Sequence, residues 1–186
     1  MDTVENTSDS NLSHNARFKY AQNLPIEVFT ENRERFIKKF QEKVEGLEKT
    51  IMLFKGGEET SIDSTDIEYL FRQESFFYYL FGVQEPGVYG SIEPATGKTT
   101  IFVPKWDQMY KIWMTILEIE EFQKIYQVEV KYIPDMEQYV RDLAPTKVFL
   151  NCGVNSDSGL QSLIPTQEWL KDFNVDKDTM YPILAN

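Results

Sequence analysis

Residues 72–82 read RQESFFYYLFG, a run of six aromatic or large aliphatic residues between a charged cluster and a glycine. A helix with one solvent-facing side would interrupt such a run with polar residues. The pattern therefore predicts a helix buried on nearly all sides, between a sheet and a neighbouring layer; the alternative is an aromatic surface that holds a ligand. Thr65 and Glu68 have the spacing of a capping box, so the helix is predicted to begin there and to end at Gly82.

Predicted strands and helices alternate on both sides of this stretch. Short apolar runs predict strands at TIMLF (50–54), VYGSI (88–92), KTTIFV (98–103), VEVKYI (128–133) and KVFLN (147–151), and MYPIL (180–184) is also predicted to be extended. The second and third runs flank EPATG and predict a β-hairpin. Alternation of this kind favours the α/β class: a single domain with a mixed β-sheet flanked by helices.

Helical spacing of apolar residues predicts the remaining elements. The first helix is predicted to start near Thr30, and it places Phe36, Ile37, Phe40, Val44 and Leu47 on one face. A second is predicted over 106–117, with Trp106, Met109, Tyr110, Trp113 and Leu117 on one face; EIEEFQKIY (118–126) continues it or forms another helix. Helices are also predicted at 135–144, with Asp135 as N-cap, and at 166–174.

Composition describes a folded domain and excludes several kinds of partner. Residues 1–17 are polar and predict a flexible leader, which leaves 18–186 as the domain. A net charge of −11 argues against nucleic acid, which requires clustered Lys and Arg. No long apolar run predicts a membrane span, the N-terminus lacks the features of a signal peptide, and the lone Cys152 fits a reducing compartment. We therefore expect a cytoplasmic protein.

A search for catalytic residues finds no constellation. The one histidine, His14, lies in the predicted leader, which leaves metal sites and Ser–His or Cys–His nucleophiles without an imidazole. Cys152 is interpreted as a small buried residue. Glu58, Glu59, Asp63 and Asp66 are close in sequence, but their spacing matches no calcium loop, so an acid-rich turn is the simpler interpretation and a carboxylate-only hydrolase the alternative.

A longer stretch, FRQESFFYYLFGVQEPGVYGSIEPATGKTTIFVP (71–104), resembles the N-terminal domain of Xaa-Pro dipeptidases, the prolidases, which are relatives of aminopeptidase P and creatinase. Three further segments resemble the same domain in matching order: GGEET (56–60), GVNSDSG (153–159) and ILAN (183–186), the last where this domain meets the catalytic one. The resemblance extends over about residues 25 to 186.

The resemblance implies a two-domain metallopeptidase that hydrolyses Xaa-Pro dipeptides. Its C-terminal domain binds two metal ions, usually manganese, through two Asp, one His and two Glu, and none of these ligands has a position in this chain. The chain alone is therefore expected to bind no cofactor and to be inactive. In the family this domain contacts its own catalytic domain and, in a homodimer, restricts the mouth of the partner's active site.

The resemblance also assigns one residue a role, in the segment FVPKWDQMYKIWM (102–114). Trp113 aligns with a tryptophan that approaches the substrate pocket of the partner subunit, where it would pack on a proline ring; the alternative is that Trp113 belongs to the core. A different function is also open, a stand-alone peptide- or protein-binding module of the same fold without peptidase activity. The sequence downstream of Asn186 would distinguish the two.

Overall fold

A computed structural model describes residues 24–112 and 115–185. The strands in these residues are β1 (Thr50–Lys55), β2 (Tyr89–Ile92), β3 (Thr99–Val103), β4 (Glu129–Tyr132), β5 (Lys147–Leu150) and β6 (Val175–Asp176). The α-helices are α1 (Ile26–Lys43), α2 (Ser75–Phe81), α3 (Ile119–Tyr126), α4 (Met136–Leu143) and α5 (Met180–Leu184). Short 3-10 helices are Gln108–Ile112, Ile133–Asp135 and Glu168–Asp172. The predicted leader, residues 1–17, lies outside the described residues.

The described strands form one mixed sheet in the order β4-β3-β2-β1-β5-β6. β2 is antiparallel to both β1 and β3, which confirms the predicted hairpin. The pairs β1–β5, β3–β4 and β5–β6 are parallel. β2 therefore runs opposite to the other described strands of the sheet. This confirms the α/β class with a mixed sheet flanked by helices.

Both faces of the sheet are covered. On one face Met52 and Phe54 of β1 join a core to which α1, α2, α3 and α5 contribute. On the other face Ile51 and Leu53 pack with Val140 of α4 and Leu170 of the last 3-10 helix. Since successive strand residues point to opposite faces, β1 is buried along almost its whole length, as a central strand between two helical layers should be.

Helix α1 begins earlier than the predicted Thr30. It starts at Ile26, directly after Pro25, whose extended backbone marks the boundary. Thr30 does not cap the helix because it lies inside it, and its Oγ1 accepts a hydrogen bond from Arg33 Nη2 at 3.0 Å. Phe36, Ile37 and Phe40 are buried, as the helical spacing predicted.

Helix α2 is shorter than predicted, and it is not buried on nearly all sides, since Ser75 and Tyr79 are exposed. It begins at Ser75, where the Glu74 side chain accepts from Phe77 N at 2.7 Å and acts as the cap. Thr65 is not a cap: its hydroxyl bonds to Ile62 O and Ile67 N within a turn. The burial of Glu74 raises the pKa of its carboxyl group, and hydrogen bonds from α2 amides oppose that rise.

Burial along α2 decides between the two interpretations of its aromatic run. Phe77, Leu80 and Phe81 are almost completely buried, and Tyr79 is 37% exposed. The helix ends at Gly82, which adopts the left-handed conformation (φ 67°) that the predicted C-terminal stop requires. Half of the run therefore belongs to the core, with Phe76 and Tyr78 partly buried beside it, and this favours a core role over a ligand surface.

The prediction of a helix over 106–117 is wrong. Only the 3-10 helix Gln108–Ile112 forms in the described part of this segment, and α3 begins separately at Ile119. Met109 and Tyr110 of the predicted face are exposed, and Leu117 packs against the core only partly buried, so the described part of this face has too little burial to stabilise a helix. Trp106 and Tyr110 contact each other instead, with ring centroids 5.4 Å apart.

The predictions for the C-terminal quarter are partly wrong as well. MYPIL forms α5 instead of extended chain, because Asp176 Oδ1 accepts from Asp178 N and Thr179 N and so turns the chain into the helix. Pro182 falls in the first turn, where proline is tolerated. The helix predicted at 166–174 is only the 3-10 helix Glu168–Asp172, whereas the helix after Asp135 is confirmed as α4, preceded by a 3-10 turn.

Across residues 24–112 and 115–185, no helix combines the length and the apolar character needed to cross a bilayer.

Candidate functional site

Three connecting segments leave the same edge of the sheet. Because β1, β3 and β5 point in one direction, their carboxyl ends meet at one edge. Segments 56–74, 104–118 and 151–167 start there, and 83–88 returns to it at the start of β2. Loops at such an edge are frequent sites of binding, since a rigid sheet positions them.

These segments carry most of the large apolar side chains that the described structure exposes. Met109 is 72% exposed, Ile112 76% and Leu160 71%. We call the following residues the edge surface: Ile67, Tyr69, Leu70, Trp106, Met109, Tyr110, Ile112, Val154, Leu160 and Leu163. Exposed apolar residues on loops that start at one end of a domain are candidates for contact with another protein.

Segments 56–74 and 83–88 are joined by hydrogen bonds that continue the β1–β2 pairing. Gly56 N donates to Val88 O, and Gly87 N donates to Gly57 O, both at 2.8 Å. A Cβ on Gly56 would lie 2.8 Å from Val88 O, so glycine permits this close approach. The Gly-Gly pair that opens GGEET thus has a structural role at the edge.

Segment 151–167 folds back on itself, as the loop composition predicted. Ser162 N donates to Gly153 O, and Asn155 Oδ1 accepts from Ser158 N, each at 2.9 Å. Helix α5 lies against this segment, since a Cβ on Gly153 would lie 2.0 Å from Tyr181 Cγ. Tyr181 also contacts Phe76 at the start of α2, with ring centroids 5.6 Å apart.

The acidic residues at 58–66 form a turn. Lys55 Nζ lies 2.7 Å from Glu58 Oε1, and a bridge between Ser61 and Glu68 closes the turn that holds Asp63 and Asp66. Within the described ranges, no group of three or more His, Cys, Asp or Glu residues is arranged to hold a metal ion. The acids at 58–66 therefore do not fit a divalent metal site.

A cleft of about 580 Å³ lies at the opposite edge, between α1, the hairpin turn and the start of β4. Both cations that line it have partners within the chain. Arg33 Nη1 donates to Leu80 O at 2.8 Å, and Lys98 Nζ lies 2.9 Å from Glu129 Oε2. The hydrogen bond to Glu129 raises the pKa of Lys98. This pairing makes the cleft a poor site for an anionic ligand.

Two residues singled out in the sequence, Trp113 and His14, lie outside the described residues. Cys152 is only partly buried, and the buried side chain at the end of β5 is the preceding Asn151.

The edge surface as a unit was not predicted from the sequence. Its signal was present in Ile67, Tyr69 and Leu70, apolar residues without helical or strand periodicity, but the order of the strands was needed to bring the three segments to one edge.

Comparison with known proteins identifies the class to which this fold belongs. The profile of the family described as "Aminopeptidase P, N-terminal domain" matches residues 29–149. The chain therefore belongs to that family, and the resemblance proposed from the sequence is confirmed. The chain is 35% identical over 161 residues to the "Xaa-Pro dipeptidase" of Homo sapiens and equally to that of Pongo abelii; each match covers 86% of this chain and 33% of the relative.

Solved structures show the same fold. Aminopeptidase PepP of Pseudomonas aeruginosa matches with a TM-score of 0.59 and 21% identity over 73% of this chain and 30% of that one. Aminopeptidase P of E. coli matches with a TM-score of 0.57 and 19% identity over 72% of this chain and 30% of that one. The chain spans about a third of the length of the curated relatives it matches.

Proposed function

We propose that this chain is the N-terminal, non-catalytic domain of a metal-dependent Xaa-Pro dipeptidase. In this proposal it contributes to homodimerisation and restricts access to the partner's active site, and the parent enzyme hydrolyses Xaa-Pro dipeptides. The observation that carries the proposal is the edge surface, which three segments present at one edge of the sheet. Aromatic residues and Met, which this surface contains, are enriched at the core of protein–protein interfaces.

The position of the edge surface fits this role. Segment 104–118 contains Trp106, Met109, Tyr110 and Ile112, and Trp113 follows directly in the sequence. A segment that rests on a partner subunit would bring Trp113 with it, and a tryptophan at the mouth of a dipeptide pocket would exclude water and longer chains. Helix α5 lies beside the same edge, so a following domain would start next to this surface.

We propose, from the family resemblance, that the catalytic domain of the parent enzyme holds two manganese ions; the described residues of this chain do not fit such a site. The direct test is the coding sequence beyond the codon for Asn186. We expect two Asp, one His and two Glu in the order of the family. A stop codon, or a continuation without these ligands, would overturn the proposal and favour a stand-alone binding module of the same fold.

The purified 186-residue chain is expected to show no Gly-Pro hydrolysis, with or without added manganese. The reason is that its acids at 58–66 lie in and beside a turn and are not grouped as metal ligands. Proline release is measured against a buffer blank and against the full-length enzyme. Manganese-dependent turnover that follows the protein through purification, and that Asp63→Asn with Asp66→Asn abolishes, would instead identify a carboxylate site in this chain.

The substitution Ile112→Ser tests the edge surface. Ile112 is 76% exposed, so its replacement should change the free energy of unfolding of this chain by less than about 0.5 kcal/mol. In the full-length protein the same change should weaken dimerisation about tenfold, because it removes apolar area from the contact. Sedimentation equilibrium measures the dimer, and urea unfolding measures the stability.

Ile125→Ser is the matched control for this substitution. Ile125 is 48% exposed on α3 and lies outside the edge surface. Its replacement should leave both stability and dimerisation unchanged. No weakening by Ile112→Ser, or equal weakening by both variants, would contradict the assignment of the dimer contact to the edge surface.

A further inference from the structure

The Gln73 side chain forms hydrogen bonds with two segments, 56–74 and 83–88, at the edge of the sheet where β1, β3 and β5 end. Its Oε1 accepts from Gly57 N at 2.5 Å and from Glu74 N at 3.0 Å, and its Nε2 donates to Glu85 O at 3.0 Å. A carboxamide is the side chain that can accept at one end and donate at the other. Gly56 leaves room for it, since a Cβ there would lie 2.9 Å from Gln73 Oε1.

Glu85 extends this connection to a third element. Its Oε2 accepts from Tyr126 Oη at 2.5 Å, and the same Tyr126 oxygen accepts from Gln84 N at 3.4 Å. Burial, reinforced by the charge of Glu85, raises the pKa of the Tyr126 hydroxyl, so the phenol remains a donor at neutral pH. Tyr126 is the last residue of α3, the helix that follows segment 104–118.

We infer that Gln73 is a positioning residue that holds segment 56–74 against segment 83–88 and, through Glu85 and Tyr126, against α3. Segment 56–74, which carries part of the edge surface, then has a fixed position relative to α3. The advantage that Gln73 would give to the enzyme rests on the proposed function. The positioning role itself concerns only how readily these segments of the chain open locally. A surface held in one arrangement before contact loses less conformational entropy on binding, which is the advantage such a residue supplies.

Two substitutions at Gln73 separate its two connections. Gln73→Met keeps the length of the side chain and removes both the acceptor and the donor. Gln73→Glu keeps the acceptor for Gly57 N but places a carboxylate oxygen against Glu85 O, where no donor remains. Amide hydrogen exchange of the 186-residue chain, read by NMR at Gly57, Gln84 and Gly87, reports on each side of the connection.

In Gln73→Met we expect exchange at all three amides to be about tenfold faster, the effect of losing one hydrogen bond. In Gln73→Glu we expect Gln84 and Gly87 to exchange about tenfold faster and Gly57 to change less than about threefold. The amides of Ile101 and Phe149, in the buried strands β3 and β5, should keep their wild-type rates in both variants. This asymmetry is what distinguishes positioning from a general contribution to stability.

Acceleration spread evenly over the core strands, or no change at any of the three amides, would overturn the inference. Neither result depends on dimerisation or hydrolysis, so failure of the inference leaves the proposed function standing. Conversely, an absent catalytic domain would refute the proposed function without altering the exchange rates.

Discussion

Phe81→Ala is expected to lower the free energy of unfolding by about 3–5 kcal/mol, the cost of truncating a fully buried phenylalanine. Phe81 is 1% exposed, and its ring lies 4.7 Å from that of Phe77 and 5.5 Å from that of Phe54. These rings join α2 to the central strand β1, so the substitution leaves a cavity where helix and sheet meet. Urea unfolding followed by circular dichroism measures the loss.

Tyr79→Ala is the matched control, because it truncates an aromatic ring on the same helix where 37% of the side chain is exposed. The carbonyl of Tyr79, which accepts from Asn32 Nδ2, is retained. We expect a loss of about 1 kcal/mol or less. If the Phe81→Ala variant does not fold, Phe81→Leu provides the comparison, because it lowers the free energy of unfolding by less. Equal losses at positions 79 and 81 would contradict the burial of α2 against the sheet.

The strands were the part of the fold that sequence predicted best. TIMLF, the hairpin arms and KVFLN are short apolar runs bounded by Gly, Pro or polar turns, and all of them lie in the sheet. A central strand is apolar on both faces, so its sequence is continuous and easily recognised. The two-residue strand β6 gave no comparable signal, because Val175–Asp176 is too short to have a pattern.

Helix boundaries were harder to predict because local cap signals compete with tertiary contacts. Thr30 and Thr65 have the residue type of an N-cap, but their hydroxyls bond to Arg33 and to a turn. The true cap of α2 is Glu74, whose type is not among the preferred ones. MYPIL contains Pro and Ile, which favour extended chain, yet Asp176 and packing against α1 make it a helix.

The candidate site could be predicted only in part. The resemblance carried by segment 71–104 correctly identified the family. The periodicity of Trp106, Met109 and Tyr110 indicated an apolar face, and these side chains are exposed at the edge rather than packed in a core. The periodicity of a sequence indicates that one face of a segment is apolar. It does not indicate whether that face is covered by the same chain or by another one.

The second large effect is a coupling between Gly90 and Phe81. A Cβ on Gly90 would lie 2.5 Å from Phe81 Cζ and 2.8 and 2.9 Å from its two Cε atoms. Gly90→Ala should therefore cost about 1–3 kcal/mol in the wild-type chain, the usual penalty for overpacking a core. Leucine lacks all three of these ring atoms, so in the Phe81→Leu background the new methyl group would occupy space that the ring has vacated.

We therefore expect Gly90→Ala to cost less than about 0.5 kcal/mol when Phe81 is leucine, a coupling energy of about 0.5–3 kcal/mol in a double-mutant cycle measured by urea unfolding. Phe40→Leu is the control background: Phe40 is buried in the same core and contacts Phe149, whereas the three atoms nearest a Gly90 Cβ all belong to Phe81. In that background Gly90→Ala should keep its full cost. Coupling of equal size in both backgrounds would mean that the core relaxes as a whole, and the direct contact between α2 and β2 would then not explain why position 90 is glycine.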